Sequence, residues 1–126
     1  MIIIATDAPL DSRNLNRLAK RAFMGLAKTG GIASNGSGDY GIAFSTDSTL
    51  RVLLLTRDQK QTTTVLHNDA ISPLFMAAIE ATEEAIINSL LAAKTMKGKD
   101  DRIVEALPVD KLVEIFKKYN RLKLHG

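Results

Sequence analysis

Met1-Ile2-Ile3-Ile4-Ala5 is a continuous apolar, largely β-branched run with no polar alternation. Such a run suits a strand buried on both faces, because a strand with one wet face would show a period of two. It begins at the first residue, where chain ends ordinarily fray. The run therefore predicts a central strand and points to something that should precede it. Thr6-Asp7-Ala8-Pro9 then breaks the strand.

The elements that follow can be read from spacing. Asp11 or Ser12 is placed to cap a helix. Leu15, Leu18, Ala19, Ala22, Phe23, Leu26 and Ala27 lie at helical spacing on one stripe, and the Gly30-Gly31 pair ends it. Arg13, Arg17, Lys20, Arg21 and Lys28 fall largely off the stripe and read as a solvated face. Ser34 to Gly38 is loop. Tyr40, Ile42 and Phe44 alternate with Gly41, Ala43 and Ser45, which predicts a strand. The run from Leu50 to Thr56 is most simply its antiparallel partner. Ser72-Pro73 opens a helix that should reach about Met96, and Pro108 precedes a last short helix carrying Val109, Leu112, Val113 and Phe116 on one face. This is an α+β arrangement, three strands and three helices in a single domain over residues 1–126. Three strands alone would leave open sheet edges, so more sheet is expected from another segment or chain.

Bulk composition narrows the function classes. The net charge of +3 is mild and aromatic residues make up only 5%, without the basic stripe or stacking aromatics of a nucleic-acid binder. Cysteine is absent, which excludes disulfides, thiolate metal sites and a cysteine nucleophile. No stretch approaches the ~20 apolar residues of a membrane span, and the first five residues are too short for a signal-peptide core. A soluble, cytoplasmic protein is expected. His67 and His125 each lack a partner at metal-ligand spacing. Glu80, Glu83 and Glu84 read as the acidic early part of a solvated helix, so neither a metal nor a cofactor is expected.

The segment richest in chemistry is Asn35-Gly36-Ser37-Gly38-Asp39. Its glycines let the backbone approach a ligand and adopt positive φ. Positions two apart in an extended segment face the same side, so Ser37 and Asp39 can present a hydroxyl and a carboxylate to one pocket. That pair would orient a protonated amine and relay a proton. A tight turn leading into a strand uses these same residues, and on the residues alone the turn is the simpler reading. The segment is no phosphate loop, since it leads into a strand and lacks the Gly-Lys-Ser/Thr sequence.

Several stretches, in order, resemble the catalytic β-subunit of the L-aminopeptidase/D-esterase family. They are Ala5 to Leu10 with the helix Leu15 to Ala22, then Asn35 to Asp39 leading into Ala43-Phe44-Ser45-Thr46, then Glu80 to Ile86 with Asn88, and Ala106-Leu107-Pro108. The resemblance covers nearly the whole chain. It implies a precursor that cleaves itself before a serine, whose freed α-amine activates its own hydroxyl. It implies a four-layer α-β-β-α sandwich built with an upstream α-subunit, and homo-oligomers acting on peptides or on aminoacyl amides and esters. It implies catalytic assistance from Ser37 and Asp39, with Asn35, Gly36 and Gly38 at the substrate. The family's nucleophile sits immediately before the apolar strand, a place at or beyond Met1, and methionine cannot attack a carbonyl in that way. The chain alone is therefore expected to be inactive. The alternative is a non-catalytic structural or interaction domain derived from the same family.

Overall fold

The computed structural model describes residues 1–52 and 60–121, which fall into two compact units, Met1–Ile86 and Ile87–Gly126. In the first unit the apolar run forms strand β1 (Ile2–Thr6) and the next strand is β2 (Gly41–Ser45). They pair in parallel, with Ile2 opposite Gly41 and Thr6 opposite Ser45. Parallel partners need a crossover, and the helix α1 (Ser12–Lys28) supplies it. The ladder is extended at both ends, where Ile2 N–H donates to Tyr40 O at 2.8 Å and Thr46 N–H donates to Thr6 O at 2.8 Å. The expected antiparallel partner, Leu50 to Thr56, falls mostly outside the described residues. Its first residue closes a 3-10 turn at Ser48–Leu50.

Helix α1 starts where capping chemistry places it. The Asp11 carboxylate accepts from the Asn14 N–H at 2.7 Å, satisfying one of the free amides of the first turn. Leu18, Ala19 and Ala22 of the stripe are buried, while Phe23 and Ala27 are not. Asn14 is also buried. Its side-chain oxygen accepts from the Arg17 guanidinium at 2.8 Å, which offsets the cost of removing an amide from water. The face assigned to solvent is more ordered than its charge suggests, because Arg17 and Arg21 lie over the Phe75 ring at 5.0 and 4.1 Å.

The second long helix, α2 (Ser72–Ala92), packs on α1 and on the sheet. Leu10, Leu18, Ile71 and Ala78 form the buried cluster, with Ile4 of β1 and Ala43 of β2 against it. The two helices touch at Gly25, where an added Cβ would lie 2.7 Å from both Ile79 O and Thr82 Cβ. Lys28 pairs with Glu83 beyond this crossing. Residues Met1, Ile3, Ile42, Phe44 and Tyr40 occupy the opposite sheet face and remain open, with Met1 83% and Ile3 63% exposed. The expectation that β1 is buried on both faces is thus met on one face only. The helices of this chain cover one side and no described residue covers the other.

The second unit contains a short hairpin that spacing did not reveal. Helix α2 stops at Ala92, four residues before the expected end, and Met96–Lys97 (β3) pairs antiparallel with Ile103–Val104 (β4). Thr95 Oγ1 accepts from Ala106 N–H at 3.1 Å across the hairpin base. Lys99–Asp101 makes a 3-10 turn at the tip. Pro108 precedes α3 (Val109–Lys118) as anticipated, with Asp110 in its first turn and Lys117 and Lys118 in its last. No helix among the described residues is long and apolar enough to cross a membrane.

Gly25→Ala should destabilise the chain by about 1–3 kcal/mol, since backbone and a β-branched side chain must both give way. Urea denaturation checks this, and unchanged stability would mean that the helices do not meet there. A second expectation concerns Asp47. Hydrogen bonds from the Thr49 hydroxyl and the Thr49 N–H hold its carboxyl below its ordinary pKa. The contribution of this turn is therefore present above the unfolded pKa and is lost as pH falls through the depressed folded value. Thr49→Val should move the Asp47 titration upward in an NMR pH series.

Candidate functional site

The segment between α1 and β2 is shaped by its glycines and by one turn. Ser37 N–H donates to Ser34 O at 2.9 Å, closing a four-residue turn with Asn35 and Gly36 at its centre. Gly36 has a φ of +93°, the left-handed value that the third position of a type II turn requires. The turn reading of these residues is therefore real. It also delivers the arrangement expected of an assisting pair, because the Ser37 hydroxyl donates directly to the Asp39 carboxylate. Both side chains are exposed and line one groove. Asn35 is exposed on the turn, and Gly38 has room for a Cβ, the nearest atom being Tyr40 Cε2 at 3.7 Å.

Parallel pairing fixes what lies beside this pair. β1 and β2 are entered from the same end, and Ile2 N–H is bonded to the carbonyl of Tyr40, the residue after Asp39. Whatever precedes β1 thus enters at the same end of the sheet as the segment carrying Ser37 and Asp39. The site is assembled by register: α1 sets the length of the crossover, the turn at Gly36 sets the approach, and the first ladder bond brings the two strand entrances together.

The weaker candidates take structural positions. His67 caps the 3-10 turn Asn68–Ala70, accepting from Asp69 N–H at 3.3 Å. Glu83 pairs with Lys28, and Glu80 and Glu84 are exposed. Among the described residues no group of three or more acidic or histidine side chains is placed to hold a metal ion. Two residues beside the pair were not singled out from sequence. Phe23 was assigned to the buried stripe and instead forms a wall of the groove. Ile32, 85% exposed, forms another. The available signal was an isoleucine placed directly after a Gly-Gly helix stop.

Comparison with known proteins gives this geometry a family. The model of peptidase family S58 matches residues 1–104. A beta-peptidyl aminopeptidase BapA from Sphingosinicella microcystinivorans is 43% identical over 97% of this chain, which corresponds to 30% of that protein. The L-aminopeptidase D-Ala-esterase/amidase of Ochrobactrum anthropi, described as a prototype of the serine aminopeptidases and a variant of the Ntn hydrolase fold, superposes with a TM-score of 0.85. It is 33% identical, over 97% of this chain and 34% of that one. The PH0078 protein of Pyrococcus horikoshii OT3 is 51% identical with a TM-score of 0.79, over 96% of this chain and 34% of that one. The chain belongs to peptidase family S58, an aminopeptidase family. It spans about 30% of the length of the curated relatives it matches.

Gly36→Ala should cost about 1–2 kcal/mol, because an L side chain is strained at this φ. Faster amide exchange at Ser37 together with a lower denaturation midpoint would show it. An unchanged Ser37 amide would mean that the turn does not hold the pair.

Proposed function

We propose that this chain is the C-terminal portion of an aminopeptidase that releases amino-terminal residues by acyl transfer through an N-terminal serine. The observation that carries the proposal is the hydrogen-bonded Ser37–Asp39 pair beside the entrance to β1. A nucleophile on the residue leading into β1 would stand next to that pair. In this reading its free α-amine takes the hydroxyl proton, and the hydroxyl oxygen attacks the amide or ester carbonyl. The amine or alcohol leaving group departs with that proton; water then attacks the acyl-enzyme, passes its proton through the α-amine to the serine oxygen, and releases the acid. Asp39 holds the substrate's ammonium group, Ser37 relays a proton and fixes the carboxylate, and the turn Asn35-Gly36 with Gly38 lets the substrate backbone come close.

The remaining parts belong to the upstream portion of the same precursor. In this proposal it covers the open face of Ile3, Ile42 and Phe44 with a second sheet, giving a four-layer α-β-β-α sandwich. It also supplies the oxyanion donors, and the assembled enzyme works as a homo-oligomer in the cytoplasm with residues 1–126 as one domain. The names of two of these relatives, a beta-peptidyl aminopeptidase and an L-aminopeptidase, support the substrate class. A second reading, a non-catalytic interaction domain, draws on that same open apolar face.

The two readings separate in the assembled enzyme. With this chain joined to the upstream portion of the family fold, Ser37→Ala and Asp39→Asn should each lower kcat/KM on aminoacyl amides by about 10²-fold or more. Circular dichroism should be unchanged. Undiminished rates in both variants would return the pair to a purely structural turn, and a folded assembly without hydrolysis would favour the interaction domain.

A further inference from the structure

The groove that ends on Ser37 and Asp39 has an apolar body. Phe23 and Leu26 from the end of α1 and Ile32 and Ala33 from the loop form its walls around a volume of about 550 Å³. This lies within the range of roughly 300–1,000 Å³ typical of small-molecule sites. The Phe23 ring lies over the start of β2. Ring atoms lie 3.5 and 3.6 Å from where a Cβ on Gly41 would stand. Ile32 stands 85% exposed on the same groove, an apolar side chain left in water beside a carboxylate.

Taken with the proposed function, on which this step rests, we infer that the groove is the pocket for the side chain of the substrate's amino-terminal residue, and that it selects branched aliphatic and aromatic side chains. The argument is one of complementarity. An amino-terminal residue carries its ammonium group and its side chain on the same or adjacent carbons. A ligand whose ammonium sits on Asp39 must therefore place its side chain within reach of the neighbouring walls, which are Phe23 and Ile32. An apolar side chain there removes both walls from water. An acidic one meets the Asp39 charge and an apolar surface that cannot solvate it. A methyl group is too short to cover both walls.

The test uses this chain and small amides, followed by amide chemical shifts. Leucinamide should shift Phe23, Ile32 and Asp39 and bind about tenfold tighter than alaninamide, a ratio in keeping with the few methylene groups that differ. N-acetylation of leucinamide, which removes the ammonium charge, and Asp39→Asn should each weaken binding strongly. Ile32→Asp, at an exposed position that does not support the core, should erase the preference for leucinamide over alaninamide. Equal binding of the two amides, shifts confined to other residues, or no binding would overturn the inference. Hydrolysis by the assembled enzyme is read separately. Hydrolysis without a leucine preference would remove the pocket and leave the proposed function, whereas selective binding without any hydrolysis would do the reverse.

Discussion

The β1–β2 pair is packed on one side and open on the other, and the rest of the first unit follows from that asymmetry. Ile4 and Ala43 face the cluster made by Leu10, Leu18, Ile71 and Ala78, so the two helices are held to the sheet by burial of small and branched side chains. One residue along each strand the surface is just as apolar, yet Ile3, Ile42 and Phe44 face outward. An exposed apolar sheet surface of this kind marks a face against which another layer packs. The helical layer can approach closely because Gly25 has no side chain at the crossing with α2. The anchoring of the sheet therefore depends on that contact, and its apolar second face sets the demand for a further layer.

The candidate site depends on the same pairing. Because β1 and β2 are parallel, their entrances lie together, and the Ser37–Asp39 pair stands at that shared end. An antiparallel pairing would have put the start of β1 at the far end of β2. The turn at Gly36 and the ladder bond from Ile2 to Tyr40 then determine where the hydroxyl and the carboxylate sit. Fold and chemistry are coupled through register, so the site needs no deep burial of its own residues to be defined.

Much of this was legible from residue spacing. The apolar run to Ala5, the Asp11 cap, the Gly30-Gly31 stop and the alternation from Tyr40 to Phe44 each carry a local signal, and each matches an observed boundary within a residue or so. The parallel pairing was not legible, because it is decided by a contact between residues about 40 positions apart and no local pattern encodes it. The burial of Asn14 was missed for a similar reason: its partner is an arginine that the stripe pattern assigns to solvent. The β3–β4 hairpin was hidden by its length, since two-residue strands have no measurable period. Phe23 fits the helical stripe, whereas its partly exposed ring lines the groove that holds Ser37 and Asp39. At Asn35 to Asp39 the sequence allows both a tight turn and a hydroxyl–carboxylate pair. In the structure the turn is what presents the pair.

The proposed chemistry depends on the residue that occupies the position leading into β1. The direct measurement is the intact mass of this chain expressed in frame behind the upstream portion of the family fold. Two fragments are predicted, cut on the amino side of a hydroxyl-bearing residue that the upstream portion supplies at or ahead of the position of Met1, so that this residue becomes the new amino terminus leading into β1. A folded precursor that stays whole would contradict this chemistry.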